Sequence, residues 1–285
     1  MSYRAMNTRP RPQLLTPIAI ALTFASGAGD VASFTRLGNV FTSVMTGNIV
    51  LLGLAIARGS LTLLAHSAVA IGGYIAGVAV GTWVGHGATR GSDESRAGVL
   101  AAHVIWVLRA ELTLLAGFTV GWEVSGGAPA GWAQFALSAT LAAAMGVQSS
   151  AVRDMGLTDM ATTYLTGTLT GLVASLTKPG QDTPDGMRRF GALIGLAAGA
   201  CLSGLLIATA ADGAPLLPLA AVVVTLVLAS GPGWRRPFGR LRWPVRRESR
   251  SGRVIEQLSG SIQASGSAVG SICQKHSRLP QSSRL

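Results

Sequence analysis

Long apolar stretches alternate with short polar interruptions along the chain, and the stretches set its architecture. Windows bounded by charge, Pro or Gly clusters predict eight apolar segments, at about residues 14–35, 40–57, 61–84, 99–122, 131–152, 160–177, 189–211 and 214–231. Most are long enough to cross about 30 Å of hydrocarbon at 1.5 Å per residue. Helix is the expected conformation, because lipid cannot satisfy open backbone groups. Residues 85–98, with Asp93 and Glu94, and 178–188, with Pro179 and Pro184, read as surface loops. The expected class is all-α, a polytopic helical membrane protein.

The pattern repeats. Thr42, Thr46 and Gly47 in the second segment recur as Thr162, Thr166 and Gly167 in the sixth, 120 positions on. A ladder of Gly73, Gly77, Gly81 and Gly85 in the third recurs as Gly191, Gly195, Gly199 and Ser203 in the seventh, at an offset of 118. Small residues at every fourth position let helix backbones approach, so the ladders predict packing rather than chemistry. The second and sixth segments are short, rich in Thr and Gly, and preceded by breaks at Gly38–Asn39 and Gly156–Leu157. Such segments in corresponding places of two halves are the pattern of discontinuous or re-entrant helices in repeat-built transporters.

Composition agrees with lipid as the solvent: 49% of the 285 residues are hydrophobic and 12% charged, and mean hydropathy is +0.45. The net charge of +11 is carried by the ends. Eleven Arg or Lys against Glu248 and Glu256 make the chain from Pro232 onward +9, and Arg4, Arg9 and Arg11 add +3. The chain thus divides into a basic cytoplasmic arm (1–13), a first membrane repeat (14–122), a second (131–231) and a basic, Ser/Gly-rich tail (232–285) expected to be disordered and cytoplasmic. The apolar run from Leu14 resembles a signal peptide, but its length and the spans that follow make it the first span.

Loop charge discriminates between span counts. With the amino terminus inside, eight crossings put Arg58, Lys178, Arg188 and Arg189 on inner loops and Arg36, Arg90, Arg96 and Arg153 on outer ones, with no bias. If the second and sixth segments are re-entrant, the inner loops hold Arg90, Arg96, Arg153, Lys178, Arg188 and Arg189, and the outer ones only Arg36 and Arg58. The positive-inside rule favours the second arrangement, six full spans plus two short or re-entrant helices, with eight spans as the alternative. Six spans make the halves inverted, eight would make them parallel, and both counts leave both termini cytoplasmic.

A charge at the centre of a span costs about 2.5 to 3.5 kcal/mol on insertion scales, so each one asks for a reason. Asp30 lies toward the end of the first segment, and Arg109 and Glu111 near the middle of the fourth. Two positions apart on a helix, Arg109 and Glu111 point away from each other. The structural reading pairs Arg109 with Asp30 or with backbone carbonyls. The functional reading makes Glu111 or Asp30 a carboxylate responsive to protons or cations. His66 and His103, near segment ends, read as solvated interfacial imidazoles, and Asn48 and Gln148 as interhelical hydrogen-bonding groups. Inside the suspected broken helix, Asn48 with Thr46, and Thr166 with Thr168 in the second half, also have the donors and acceptors to line a polar path. The two cysteines, Cys201 and Cys273, lack metal-ligand spacing and cannot form a disulfide framework. There is no phosphate-binding loop, dinucleotide fingerprint or nucleophile elbow, so neither an enzyme nor a cofactor is expected.

Four strings carry a family resemblance: Gly29-Asp30-Val31-Ala32-Ser33-Phe34, Met45-Thr46-Gly47-Asn48 with the apolar run to Gly53, Gly146-Val147-Gln148-Ser149-Ser150-Ala151-Val152-Arg153, and Ala161-Thr162-Thr163-Tyr164-Leu165-Thr166-Gly167-Thr168. Over residues 14–231 the chain resembles the YoaK family of bacterial membrane proteins, a family of unknown function. The resemblance implies a bacterial inner-membrane protein and carries over no catalytic or substrate residues. The leading expectation is a secondary transporter or permease for a small solute or ion. Its rival is a non-transporting protein that assembles with partners, a second copy included, through the glycine ladders and through the tail on anionic lipid headgroups. Nucleic acid is not an expected partner, because no aromatic interleaving or recognisable fold accompanies the charge.

Overall fold

A computed structural model describes residues 12–89, 96–155, 165–177 and 184–230. Packing divides the chain into residues 1–241 and 242–285, and the second unit lies outside the described residues. The helices are α1 (Pro12–Arg36), α2 (Met45–Arg58), α3 (Leu61–Thr89), α4 (Arg96–Val124), α5 (Trp132–Asp154), α6 (Leu165–Leu176), α7 (Pro184–Thr209) and α8 (Leu216–Ser230), with a 3-10 turn at Ala211–Gly213. Among the described residues there is no strand. Six helices, α1, α3, α4, α5, α7 and α8, are long and apolar enough to cross a membrane. The other two are short, at 14 residues for α2 and 12 for α6. The chain is a polytopic helical membrane protein; among the described residues six helices, not eight, are long enough to cross, which fits the six-plus-two arrangement rather than eight spans.

Local chemistry explains the boundaries. Gly59 ends α2 in the left-handed conformation (φ 63°, ψ 24°), where its N–H and that of Ser60 satisfy the last carbonyls of the helix. Pro184 opens α7 at a position that needs no N–H, five residues ahead of the expected start. Helix α2 begins at Met45, not near residue 40, because residues 37–44 are tied to α1. The expected break at 156–157 lies outside the described residues.

Side-chain contacts fix the helix directions. Gln148 on α5 donates to the carbonyl of Leu22 on α1 (2.8 Å), and Gln134 donates to that of Arg36 (3.1 Å), so α1 and α5 run antiparallel. On α4 and α5, His103 lies beside Asp154 at one end and Gly121 beside Leu137 at the other, also antiparallel. Parallel pairs join the halves: Ile20, Phe24 and Ala28 on α1 follow Gly195, Gly199 and Ser203 on α7, as Ala139 and Ala143 on α5 follow Gly73 and Gly77 on α3. The α1–α7 seam is thus answered by the α3–α5 seam, with α1 exchanged for α5 and α3 for α7. Because α1 and α5 oppose each other, the repeat is inverted. These two helices form the centre, with 67% of their spanning windows buried against 22–39% for the other four.

The glycine ladders sit at the seams between halves, and the structure shifts their register. A Cβ on Gly73 would lie 2.6 Å from the carbonyl oxygen of Ala139, and one on Gly195 2.9 Å from that of Ile20. Gly77 likewise abuts the Ala143 carbonyl, and Gly199 that of Phe24. Gly27 and Gly146 face back across the same seams, against Leu196 and Ala200 and against Tyr74 and Val78. Equivalent residues of α3 and α7 therefore stand 122 apart, not 118, and those of α1 and α5 stand 119 apart. A ladder of four-residue spacing matches itself after a one-turn slide, so spacing alone could not choose. Gly85, left without a counterpart, makes room for the His103 ring, and Gly191 for the Ile20 side chain.

Since these glycines close seams within the chain, they are not a surface for assembly. Gly77→Val and Gly199→Val should each destabilise the protein by about 1–3 kcal/mol through overpacking. Gly53→Ala, where a Cβ meets nothing within 4 Å, should leave thermal unfolding in detergent unchanged or slightly raised. Equal melting of all three variants would contradict this packing.

Candidate functional site

The membrane break before α2 is the most elaborate polar structure among the described residues. Leaving α1, the chain reverses at Gly38 (φ 93°) and Asn39 (φ 59°) and runs back along the helix. Glycine and asparagine are the residues that take this left-handed turn most readily. A side chain at residue 38 would meet the His66 ring, so that position needs glycine for space as well.

Asp30, buried on α1, receives the returning segment. Its Oδ1 accepts the backbone N–H of Thr42 (2.8 Å) and of Ser43 (2.8 Å) and the Thr42 hydroxyl (3.2 Å); its Oδ2 accepts the Ser43 hydroxyl (2.5 Å). The carboxylate faces the N-terminal end of α2, where peptide dipoles favour a negative group. Ser33, one turn along α1, donates to the Val40 carbonyl (2.8 Å). From α2, the wholly buried Asn48 accepts the Phe41 N–H (2.9 Å) and donates to the Phe41 carbonyl (2.6 Å), closing the loop from the other side. Two predicted site residues thus meet at one feature, and both spend their polar groups on the returning segment.

The remaining candidates divide. Gln148 joins the halves at the centre, accepting the Ser26 hydroxyl (3.3 Å) while donating to Leu22. Thr168, the counterpart of Asn48, is buried, whereas Thr46 is exposed; the Thr166 side chain lies outside the described residues. Glu111 is fully buried on the core-facing stripe of α4, and neither carboxyl oxygen has a hydrogen-bond partner. The antiparallel register with α5 puts it about level with Gly146, near mid-span. Arg109 is exposed and lies over the Trp106 ring, 5.0 Å from its centroid, and Asp30 is already taken by Thr42 and Ser43. The expected pairing of Arg109 with Asp30 is therefore not formed: on its helix Arg109 faces outward, where an indole is the partner within reach.

The two imidazoles also depart from expectation, being buried rather than solvated. His66 stacks on Phe135 with ring centroids 4.1 Å apart and holds Nδ1 2.9 Å from the Thr62 carbonyl. His103 Nε2 lies 2.8 Å from Asp154 Oδ2, tying α4 to α5. Sequence reasoning missed Ser33, Ser43 and Phe41; a Ser or Thr cluster after a Gly-Asn turn, within reach of a membrane carboxylate, was the available signal. Beside Asp30 lies a cavity of about 330 Å³ between α1, α7 and the returning segment. Its lining is apolar, so it is not a polar path joining Asp30, Asn48, Gln148 and Thr168.

Comparison with known proteins places these features in a family context. A family model described as "Protein of unknown function (DUF1275)" matches residues 18–229. The UPF0700 transmembrane protein YoaK of Bacillus subtilis (strain 168) is 32% identical over 158 residues, which cover 54% of this chain and 64% of that relative. The chain therefore spans less than two thirds of the relative's length. No solved structure matches the chain.

Removing the Asp30 carboxylate strands two buried amides and two hydroxyls. Asp30→Ala should cost about 3 kcal/mol or more, and Asp30→Asn less, since its amide oxygen still accepts. In a Cys201→Ser, Cys273→Ser background, a Val44→Cys thiol should react faster with a maleimide when Asp30→Ala or Asn48→Ala is added. Thr46→Ala should not change that rate. Unchanged labelling with Asp30→Ala would show that the carboxylate does not hold the segment.

Proposed function

The chain belongs to the DUF1275 family of proteins of unknown function, and from that premise we propose that it is a secondary transporter or permease for a small solute or ion. One observation carries the reading: in each half of an inverted repeat a short helix replaces a full span, and α2 starts beside a buried carboxylate. Inverted repeats with discontinuous helices suit alternating access, in which one bundle rocks against the other about a site near mid-membrane. The glycine seams between α1 and α7 and between α3 and α5 are the natural sliding surfaces.

In this reading the bonds of Asp30 and Asn48 to residues 41–43 belong to a closed state. Their carboxylate and amide exchange partners with the solute when the halves move, with Gln148, Thr46, Thr166 and Thr168 as further path candidates. Glu111, buried without a protein partner, is the candidate for coupling to a proton or cation. No reaction is assigned to the chain. The bacterial inner membrane with both termini cytoplasmic is the proposed setting, on the loop-charge argument, and the tail from Pro232 is proposed to rest on anionic headgroups. The assembly alternative loses the glycine ladders as its surface and rests on the tail alone.

Proteoliposomes test the reading. Uptake of solute classes with and without an imposed proton gradient should reveal flux, Asn48→Ala should reduce it, and Glu111→Gln should remove its dependence on the gradient. No flux for any class, or flux indifferent to Asn48→Ala, would defeat it. Loss of anionic-vesicle binding on deleting residues 232–285, with no flux in the full chain, would support the alternative. The topology has its own check: a thiol introduced at Gly126 should react with an impermeant reagent from the periplasm, because the α4–α5 turn lies at the same end as Arg36.

A further inference from the structure

We propose that the cavity beside α1 holds one acyl chain of an anionic phospholipid whose phosphate is bound by Arg36. The cavity, about 330 Å³, is walled by Val31 and Phe34 of α1, Phe41 and Val44 of the returning segment, and Leu196 and Ala200 of α7. Its polar neighbours turn away. Both Asp30 oxygens accept from Thr42 and Ser43, and the Thr35 hydroxyl bonds back to the Val31 carbonyl (2.7 Å). A ligand of this volume must therefore be apolar along its buried length. Phe34 and Thr35 are exposed, so the cavity opens on the outer flank of the helices, where a membrane protein meets lipid. Phe34 and Phe41 stack with centroids 5.1 Å apart and make one side rigid.

Charge at the mouth selects the headgroup. Arg36 follows Thr35 directly, about 13 Å along the helix from Gly27 at the cavity floor. Its guanidinium has five donors, and the Ile207 carbonyl, 3.5 Å away, engages one nitrogen. A planar fork at a helix end, near the expected membrane surface, suits phosphate.

The inverted repeat supplies an internal control. The counterpart of Leu196 in the first half's α3 is Tyr74, whose hydroxyl donates to Ser149 (2.8 Å), the counterpart of Asp30. The larger side chain spans the place that Leu196 and Asp30 leave open. The α3–α5 seam therefore puts a tyrosine where the α1–α7 seam has the smaller Leu196 beside the cavity, and Leu196→Tyr should fill the cavity in a way the scaffold already accepts.

The experiment uses the full chain, delipidated in mild detergent and incubated with phosphatidylglycerol, phosphatidylcholine or a free fatty acid, with bound lipid counted by native mass spectrometry. One phosphatidylglycerol should be retained per chain, and phosphatidylcholine and fatty acid less. Leu196→Tyr should lower retention at least about tenfold, and Arg36→Gln should erase the headgroup preference while acyl binding persists. Ala200→Phe fills the same space from the next turn and serves should Leu196→Tyr melt early. Retention unchanged in folded Leu196→Tyr and Ala200→Phe, as for lipid held only at the general protein surface, would overturn the proposal. Fatty acid bound as well as phosphatidylglycerol would overturn the role of Arg36. Solute flux is not part of the readout, so the transport reading stands or falls separately.

Discussion

Everything in this fold answers to one constraint: within hydrocarbon, a peptide N–H or C=O must find its partner in the protein. Six long helices meet it by themselves. The segment from Gly38 to Val44 does not, and it persists because Asp30, Ser33 and Asn48 take up its exposed groups from both flanking helices. A charged carboxylate in such a place is costly alone, yet four donors converge on it. Asp30 and the break it holds therefore depend on each other.

The second constraint is close packing without a hydrophobic drive between helices. Lipid tails are as apolar as leucine, so association rests on backbone approach and interhelical hydrogen bonds. Gly73 and Gly77 on α3, and Gly195 and Gly199 on α7, bring their helices onto the carbonyls of α5 and α1. Gln148 and Ser26 then lock the central pair. Because each seam joins a helix of one half to a helix of the other, neither half is a separate body, and any relative motion must slide these seams.

Symmetry of scaffold coexists with asymmetry of content. Asp30 stands opposite Ser149, Leu196 opposite Tyr74, and Asn48 opposite Thr168. The α1–α7 seam carries an apolar cavity beside Asp30, and at the corresponding place of the α3–α5 seam the Tyr74 hydroxyl donates to Ser149. Duplicated architecture thus provides position, while single substitutions decide which side chains each seam places there.

Hydrophobic length determined the membrane class and the eight apolar segments, because the bilayer imposes a thickness that composition must match; loop charge and the Thr/Gly breaks, not length, marked the second and sixth as the short ones. The Thr-Gly repeat pointed to a short helix in each half, and α2 and α6 are the two short helices among the described residues, α2 opening five residues later than expected. Periodicity could not set the ladder register, which a one-turn slide leaves unchanged; only the carbonyls facing Gly73 and Gly195 decided it. Nor could it tell which way a buried polar side chain turns. Asp30 was legible as exceptional, but not its engagement of Thr42 and Ser43, and Arg109 was legible as costly, but not its place over Trp106. Those outcomes depend on which helix lies alongside, a relation between distant parts of the chain that no local pattern encodes.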